Sequence, residues 1–263
     1  MKRMIYQVCL GQQKNSKLYR FCIQSVAQYC EKYDIKHVIQ TEPVLRIKPD
    51  IFATNRSRES YEKHGGYLPI YEKENAFSFL DEYDQIAIID ADIYIRPEAE
   101  NIFEDMLEQS AFGAVIEREM PITKEYQHKI LNYSRMQYQP LSERGIDFKF
   151  DKLGFEFFNM GMIVLNCAKF KPYLRGQSPK QFIERGEFKD FIDGQGAWKW
   201  STDQTLLNYF IKKYKVPTQS LNWRWNGLFT ANTKIKECDF IHFFLKDKLP
   251  NKGEDVESLM EQI

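Results

Sequence analysis

The chain has 263 residues, and its 37 Lys and Arg balance 37 Asp and Glu, which excludes a bulk nucleic-acid binder that would need a basic face. No stretch approaches the ~20 apolar residues of a membrane span, and the N-terminus "MKRMIYQVCL" has no apolar core of signal-peptide length. The five cysteines lack C-x-x-C spacing and read as buried thiols of a reducing compartment, so a soluble, cytoplasmic globular protein is expected.

In chain order, "MIYQVCL" reads as a first strand. Leu18, Phe21, Cys22, Val26, Tyr29 and Cys30 then recur with the 3.6-residue period of a helix, and "KHVIQ" follows as a second strand. Strand–helix–strand order favours a parallel sheet with right-handed crossovers. Residues 43–66 are polar and irregular, and a helix is predicted from about Tyr71 to Tyr83. Pro97 suits a first helical position, with Ile102, Phe103, Met106 and Leu107 as the stripe behind it. "FGAVI" is a buried strand, residues 117–157 give no clear period, and "MGMIVLN" returns to strand character. Residues 171–200 read as a loop-rich insertion with a short helix. "STDQTLLNYFIKKY" opens a helix with Ser201 and Gln204 spaced as a capping box, and "CDFIHFF" is the last strand. With no linker in sight, 1–263 reads as one domain: a nucleotide-binding half of about 1–116, a donor-sugar and acceptor half of about 117–250, and a polar tail 251–263.

The densest chemistry lies in "IAIIDADIYI", Ile86 to Ile95. On a strand, positions i and i+2 share a face, so Asp90 and Asp92 would emerge together where the strand leaves the sheet. Two hard oxygen ligands suit a divalent cation that also grips phosphate. A solvated turn is the plain alternative for an isolated D-x-D.

Four segments in one order, "IIDADIYI", "FFNMGMIVLN", "STDQTLLNYF" and "FIHFFLKDK", resemble the GT-A glycosyltransferases, most closely the retaining enzymes of glycosyltransferase family 8. The resemblance runs from the first strand to about Pro250. It implies an α/β, Rossmann-like fold with a mixed, mostly parallel central sheet flanked by helices. The implied activity moves a sugar from a nucleotide-sugar donor, expected to be a UDP-sugar, to an acceptor hydroxyl with retention. The acceptor class (carbohydrate, lipid-linked or protein) is not encoded in any readable motif. By that resemblance Asp90, Asp92 and His242 hold Mn²⁺ or Mg²⁺, Ala91 passes the ribose, and Lys248 contacts the diphosphate. The family's glycine between that histidine and lysine is Leu245 here, a departure that bears on the close backbone approach to phosphate, with Lys246 as a residue to share the lysine's role. Asn159, Gly161 and Asp203 stand where the family touches the donor sugar, with Met160 replacing a smaller residue. Gln204 would lie beneath the anomeric carbon, with Asp203 beside it, and Thr205 replaces the family's second aspartate.

Lys73 is expected to face the donor, although "EKEN" reads equally as a solvated helix start. Trp225 and Asn226 in "NWRWNGLF" fit the acceptor side, but Trp223 and Trp225 alternate as on a strand and fit a core equally well. Cys9, Leu10 and Gly11 end the first strand, where nucleotides bind in open α/β sheets. Two other readings of the acidic pair are a haloacid-dehalogenase-like phosphohydrolase and a non-catalytic nucleotide-sugar-binding module.

Overall fold

The computed structural model describes residues 1–50, Arg58, Glu62 and 64–263; most of the predicted irregular stretch 43–66 lies outside the described residues. Among the described residues, eleven strands are formed. They are β1 (Arg3–Val8), β2 (Lys36–Gln40), β3 (Gln85–Ile89), β4 (Ile93–Ile95), β5 (Phe112–Ile116) and β6 (Phe150–Asp151). The others are β7 (Gly154–Phe155), β8 (Phe158–Asn166), β9 (Thr218–Ser220), β10 (Gly227–Leu228) and β11 (Phe240–His242). Six of them make the central sheet in the order β2-β1-β3-β8-β5-β9, parallel throughout except for β8, which runs against both neighbours. A second sheet, β10-β11-β4, stands beside it. All residues of β3 and β5 are buried, as expected for strands covered on both faces.

Helix α1 (Lys17–Lys32) buries the predicted stripe except Phe21, which stacks on Tyr94 at 5.2 Å between ring centroids. The next predicted helix forms as a tighter 3₁₀ run, Pro69–Phe79, with Pro69 at its start. Its Glu72 carboxylate accepts the backbone N–H groups of Val44, Leu45 and Arg46, fixing the start of the irregular stretch. The helix expected behind Pro97 does not form. Asn101 caps only a single turn, Ile102–Glu104, and Leu107 is exposed.

Helix α2 (Lys124–Glu143) occupies the stretch that showed no period. Its buried positions include the polar Ser134 and Gln137 and it contains Pro140, so a hydrophobic count could not find it. Helix α3 (Asp203–Lys213) is capped by Thr202, whose hydroxyl accepts from the Gln204 backbone N–H. Ser201, the expected cap, instead donates to the Phe191 carbonyl.

The sheet does not respect a boundary near residue 116, because β8 lies between β3 and β5. Nor is 251–263 merely a polar tail. It carries α4 (Val256–Met260) with Leu259 buried, and Glu254 accepts from Ser16 and from the Lys17 backbone at the start of α1.

Candidate active site

The acidic run is not one strand. β3 ends at Ile89, the chain turns through Asp90, Ala91 and Asp92 with the Ile93 N–H donating to the Asp90 carbonyl, and β4 then joins the second sheet. The two carboxylates therefore meet through a turn and not through a strand pleat. In the second sheet β11 runs antiparallel to β4 with His242 opposite Ile93, and the Phe243 N–H donates to the Asp92 carbonyl. That register carries a histidine 150 residues away to the acidic turn. His242 Nε2 lies 3.3 Å from Asp92 Oδ1 and 3.7 Å from Asp90 Oδ2. One ligand atom from each of the three falls within 4.8 Å of the others.

A polar network orients the imidazole. His242 Nδ1 is 3.2 Å from Asn226 Oδ1, and Asn226 Nδ2 donates to Asn159 Oδ1 at 2.7 Å. Asn159 Oδ1 also accepts from the Gly161 N–H, while its Nδ2 donates to Glu117 Oε2 at 2.8 Å. Such outer partners fix tautomer and ring direction in metal sites. Gly161 is demanded by the same histidine: a Cβ there would sit 2.5 Å from His242 Cε1 and 2.6 Å from Nδ1. The β5–β8 register jumps from Ala114↔Ile163 to Val115↔Asn159, so residues 160–162 leave the pairing with β5 beside the site.

Lys73 is buried at the centre, its Nζ 2.8 Å from both Asp90 Oδ1 and Asp203 Oδ2 and donating to the Met160 carbonyl. Burial alone would lower its pKa, but Asp203 and Asp90 outweigh that and raise it, so the ammonium is charged. Burial raises Asp90 against the pull of Lys73 and His242. Asp92 also feels burial, yet His242 takes its carboxyl below the usual range. For His242 burial works downward, and Asp92 and Asp90 reverse it. Asp90, Asp92, Asp203 and Glu117 thus face Lys73 and one imidazole, an acidic excess that suits a cation.

Two cavities meet here, sharing Ile70, Lys73 and Asp90. One, of about 360 Å³, opens at the ends of β1 and β3 and is lined by Val8, Leu10, Tyr19, Ala91 and Asp92. Cys9 is buried beneath it, and Gly11 begins a 3₁₀ turn at φ +56°. Tyr19 donates to Asp92 Oδ2 at 3.4 Å, and Lys246 Nζ sits 3.7 Å from the Tyr19 ring centroid. Lys248 is exposed and turned toward Glu125, at 4.0 Å. The second cavity, of about 480 Å³, is lined by Asn159, Gly161, Asp203, Gln204 and His242, together with Glu117 and aromatic residues. Gln204 Oε1 accepts from the Met160 N–H at 3.2 Å.

Trp225 does not face this cavity. It is buried against Phe240, and its indole N–H donates to Asp105. Asn226 is likewise fully buried and acts on His242 and Asn159, not at an acceptor surface. Glu117 and Tyr19 went unnoticed in the sequence. Glu117 directly follows the buried "FGAVI" strand, a strand-end acid that could have been singled out as Asp90 was.

A mixed sheet with one reversed strand, and a second sheet that delivers a histidine to an acidic turn, define a GT-A-type glycosyltransferase fold. The galactosyltransferase LgtC, solved with donor and acceptor sugar analogs, shares it at 14% identity and a TM-score of 0.54, over 98% of this chain and 94% of that one. So does a glycosyltransferase involved in the glycosylation of the major capsid of PBCV-1, at 11% identity and a TM-score of 0.51, over 99% and 100%. GlyE of Streptococcus pneumoniae TIGR4 matches all of this chain with 60% of its own, at 12% identity and a TM-score of 0.53. The profile of glycosyl transferase family 8 matches residues 11–248, and the chain belongs to that family. No curated protein sequence matches it. The protein is a glycosyltransferase, which displaces both the phosphohydrolase and the non-catalytic readings. Sugar transfer by such an enzyme takes a nucleotide-sugar donor and an acceptor. Among the described residues, no helix is long and apolar enough to cross a membrane.

Proposed function

We propose that this protein transfers a hexose or similar sugar from a UDP-sugar to an acceptor hydroxyl, with a divalent cation and with retention at the anomeric carbon. The observation that carries the proposal is the convergence of Asp90, Asp92 and His242 at the junction of the two cavities. Two carboxylates and an imidazole fit Mn²⁺ or Mg²⁺. When bound there, the cation offsets the charge that grows on the departing diphosphate. The smaller cavity takes the nucleoside, with Leu10 and Ala91 as its walls. Lys246, above Tyr19, takes the phosphate role that the family pattern gives to Lys248.

On the sugar side, Asn159 and Asp203 orient hydroxyls, and Gln204 lies against the cavity under the reacting carbon. Neither Gln204 nor Asp203 is a ready nucleophile. The Gln204 oxygen is neutral and accepts from Met160, and Asp203 is neutralised by Lys73. We therefore favour a front-side displacement. The acceptor oxygen forms its bond to the anomeric carbon on the face from which the C–O bond to phosphate breaks, and its proton passes to the departing phosphate oxygen.

The test is hydrolysis of a nucleotide-sugar panel with Mn²⁺, or with the metal stripped by a chelator. Asp92→Asn is expected to lower the metal-dependent rate about 100-fold or more, the scale of losing one transition-state electrostatic contact. An unchanged rate would remove Asp92 from the metal set. NMR of the first-formed product anomer reads retention directly, and an inverted product would refute it.

A further inference from the structure

Seven large apolar side chains are exposed among the described residues, and two of them, Trp200 (59% exposed) and Leu245 (45%), border the 480 Å³ cavity. The cavity is graded in exposure. Its inner end carries Asn159, Asp203 and His242, each less than a tenth exposed, while its outer end carries the indole. Trp200 precedes Asp203 by three residues, so an extended chain keeps their Cα atoms within about 11 Å. Thr202, between them, caps α3 and lines the same cavity. Of the four tryptophans, Trp198 and Trp225 are buried and Trp223 is half-buried. The Trp198 indole N–H is also committed, to the Gln137 carbonyl. Of the four, Trp200 is the exposed one, and it lines the cavity.

We infer that Trp200 is the acceptor platform: the C–H face of an acceptor pyranose stacks on its indole while the donor sugar occupies the inner end. This rests on the transferase reading above. The donor sits deepest, since its anomeric carbon must meet the diphosphate junction at Lys73 and Asp90. The acceptor arrives from solvent and first meets the outer wall. Lys199 Nζ lies 5.2 Å from the ring centroid, a cation–π contact that steadies the indole. The cavity wall is mainly apolar, with Ile130, Tyr133, Phe244 and Leu245 in it, and Lys129 and Thr202 interrupt it with polar groups. Hydrocarbon laid against the exposed Lys129 and the polar Thr202 would desolvate polar groups without return. A pyranose presents one apolar face to the indole and keeps its hydroxyl edge for those groups.

The experiment measures transfer to methyl glycosides and to p-nitrophenyl glycosides, with the donor that the wild type hydrolyses and with Mn²⁺. Trp200→Ala is expected to raise the KM for methyl glycosides about tenfold, the loss of one stacked aromatic contact. The donor KM should move less than about threefold, and Trp200→Phe should recover most of the affinity. An unchanged acceptor KM in a folded Trp200→Ala protein overturns the inference. So does an effect confined to p-nitrophenyl glycosides, which would make the surface a seat for an apolar aglycone. If the wild type turns over no nucleotide sugar at all, the failure belongs to the transferase reading itself.

Discussion

Lys73 joins two carboxylates that are 113 residues apart in the chain, Asp90 after β3 and the buried Asp203 opening α3. Replacing it with methionine keeps much of the volume and leaves the buried Asp203 without its ion pair, while Asp90 keeps His242 at 3.7 Å. Loss of one partner of a buried ion pair costs about 3–5 kcal/mol, so chemical denaturation of Lys73→Met should fall by that order, and a loss below about 1 kcal/mol would mean the pair is screened. The two C-terminal lysines separate just as clearly. Lys246→Ala should weaken UDP binding about tenfold, while Lys248→Ala should leave it within about twofold. Calorimetric titration with UDP decides between them, and the reverse ranking would restore the family's lysine. In the sequence these two differ only by register around Leu245. That residue takes the left-handed conformation, φ +56°, which glycine would adopt without strain.

The elements best read from the sequence are those whose burial follows a single period. The stripe of α1 and the unbroken apolar runs of β3, β5 and β8 are of this kind. Where polar groups are buried in partnered form, the pattern fails. In α2, Ser134 and Gln137 are fully buried because they hydrogen-bond to Leu131, Phe155, Ala197 and Thr205, and no hydropathy count registers that. Strand β2 carries a comparable feature with a measurable consequence. His37 is paired with Gln7, and burial lowers its pKa to about 4 from the usual 6.5. The folded state holds the neutral ring more tightly than the unfolded chain does, so this contribution is complete above pH 6.5 and is lost as pH falls toward 4. Partial exposure limits it to the order of 1–2 kcal/mol. His37→Gln should flatten stability over pH 6.5–4 in denaturant titrations; an unaltered acid slope would assign that limb to other groups.

At the scale of the whole molecule, the site is assembled by sheet topology. Reversed strand β8 brings Asn159 and Gly161 to the end of β3, and β11 lies along β4 so that His242 reaches the Asp90–Asp92 turn. The Asp–Asp–His group was legible because the motifs kept their order along the chain. The packing that imposes Gly161 was not, since its reason is the His242 ring, which lies 81 residues further along the chain. Trp225 shows the converse: a motif position whose indole is consumed by Asp105 and the core. The exposed Trp200 carried no pattern at all, because its significance lies only in the cavity that five other stretches of the chain build around it. On the proposed function, Asp90, Asp92 and His242 hold a cation that joins the nucleotide to the protein. Calorimetric titration of UDP with and without Mn²⁺, on the wild type and on His242→Ala, tests it most directly. Mn²⁺ should tighten UDP binding about tenfold or more in the wild type, and most of this gain should disappear in His242→Ala. UDP binding indifferent to Mn²⁺, or a gain that survives the loss of His242, would contradict it.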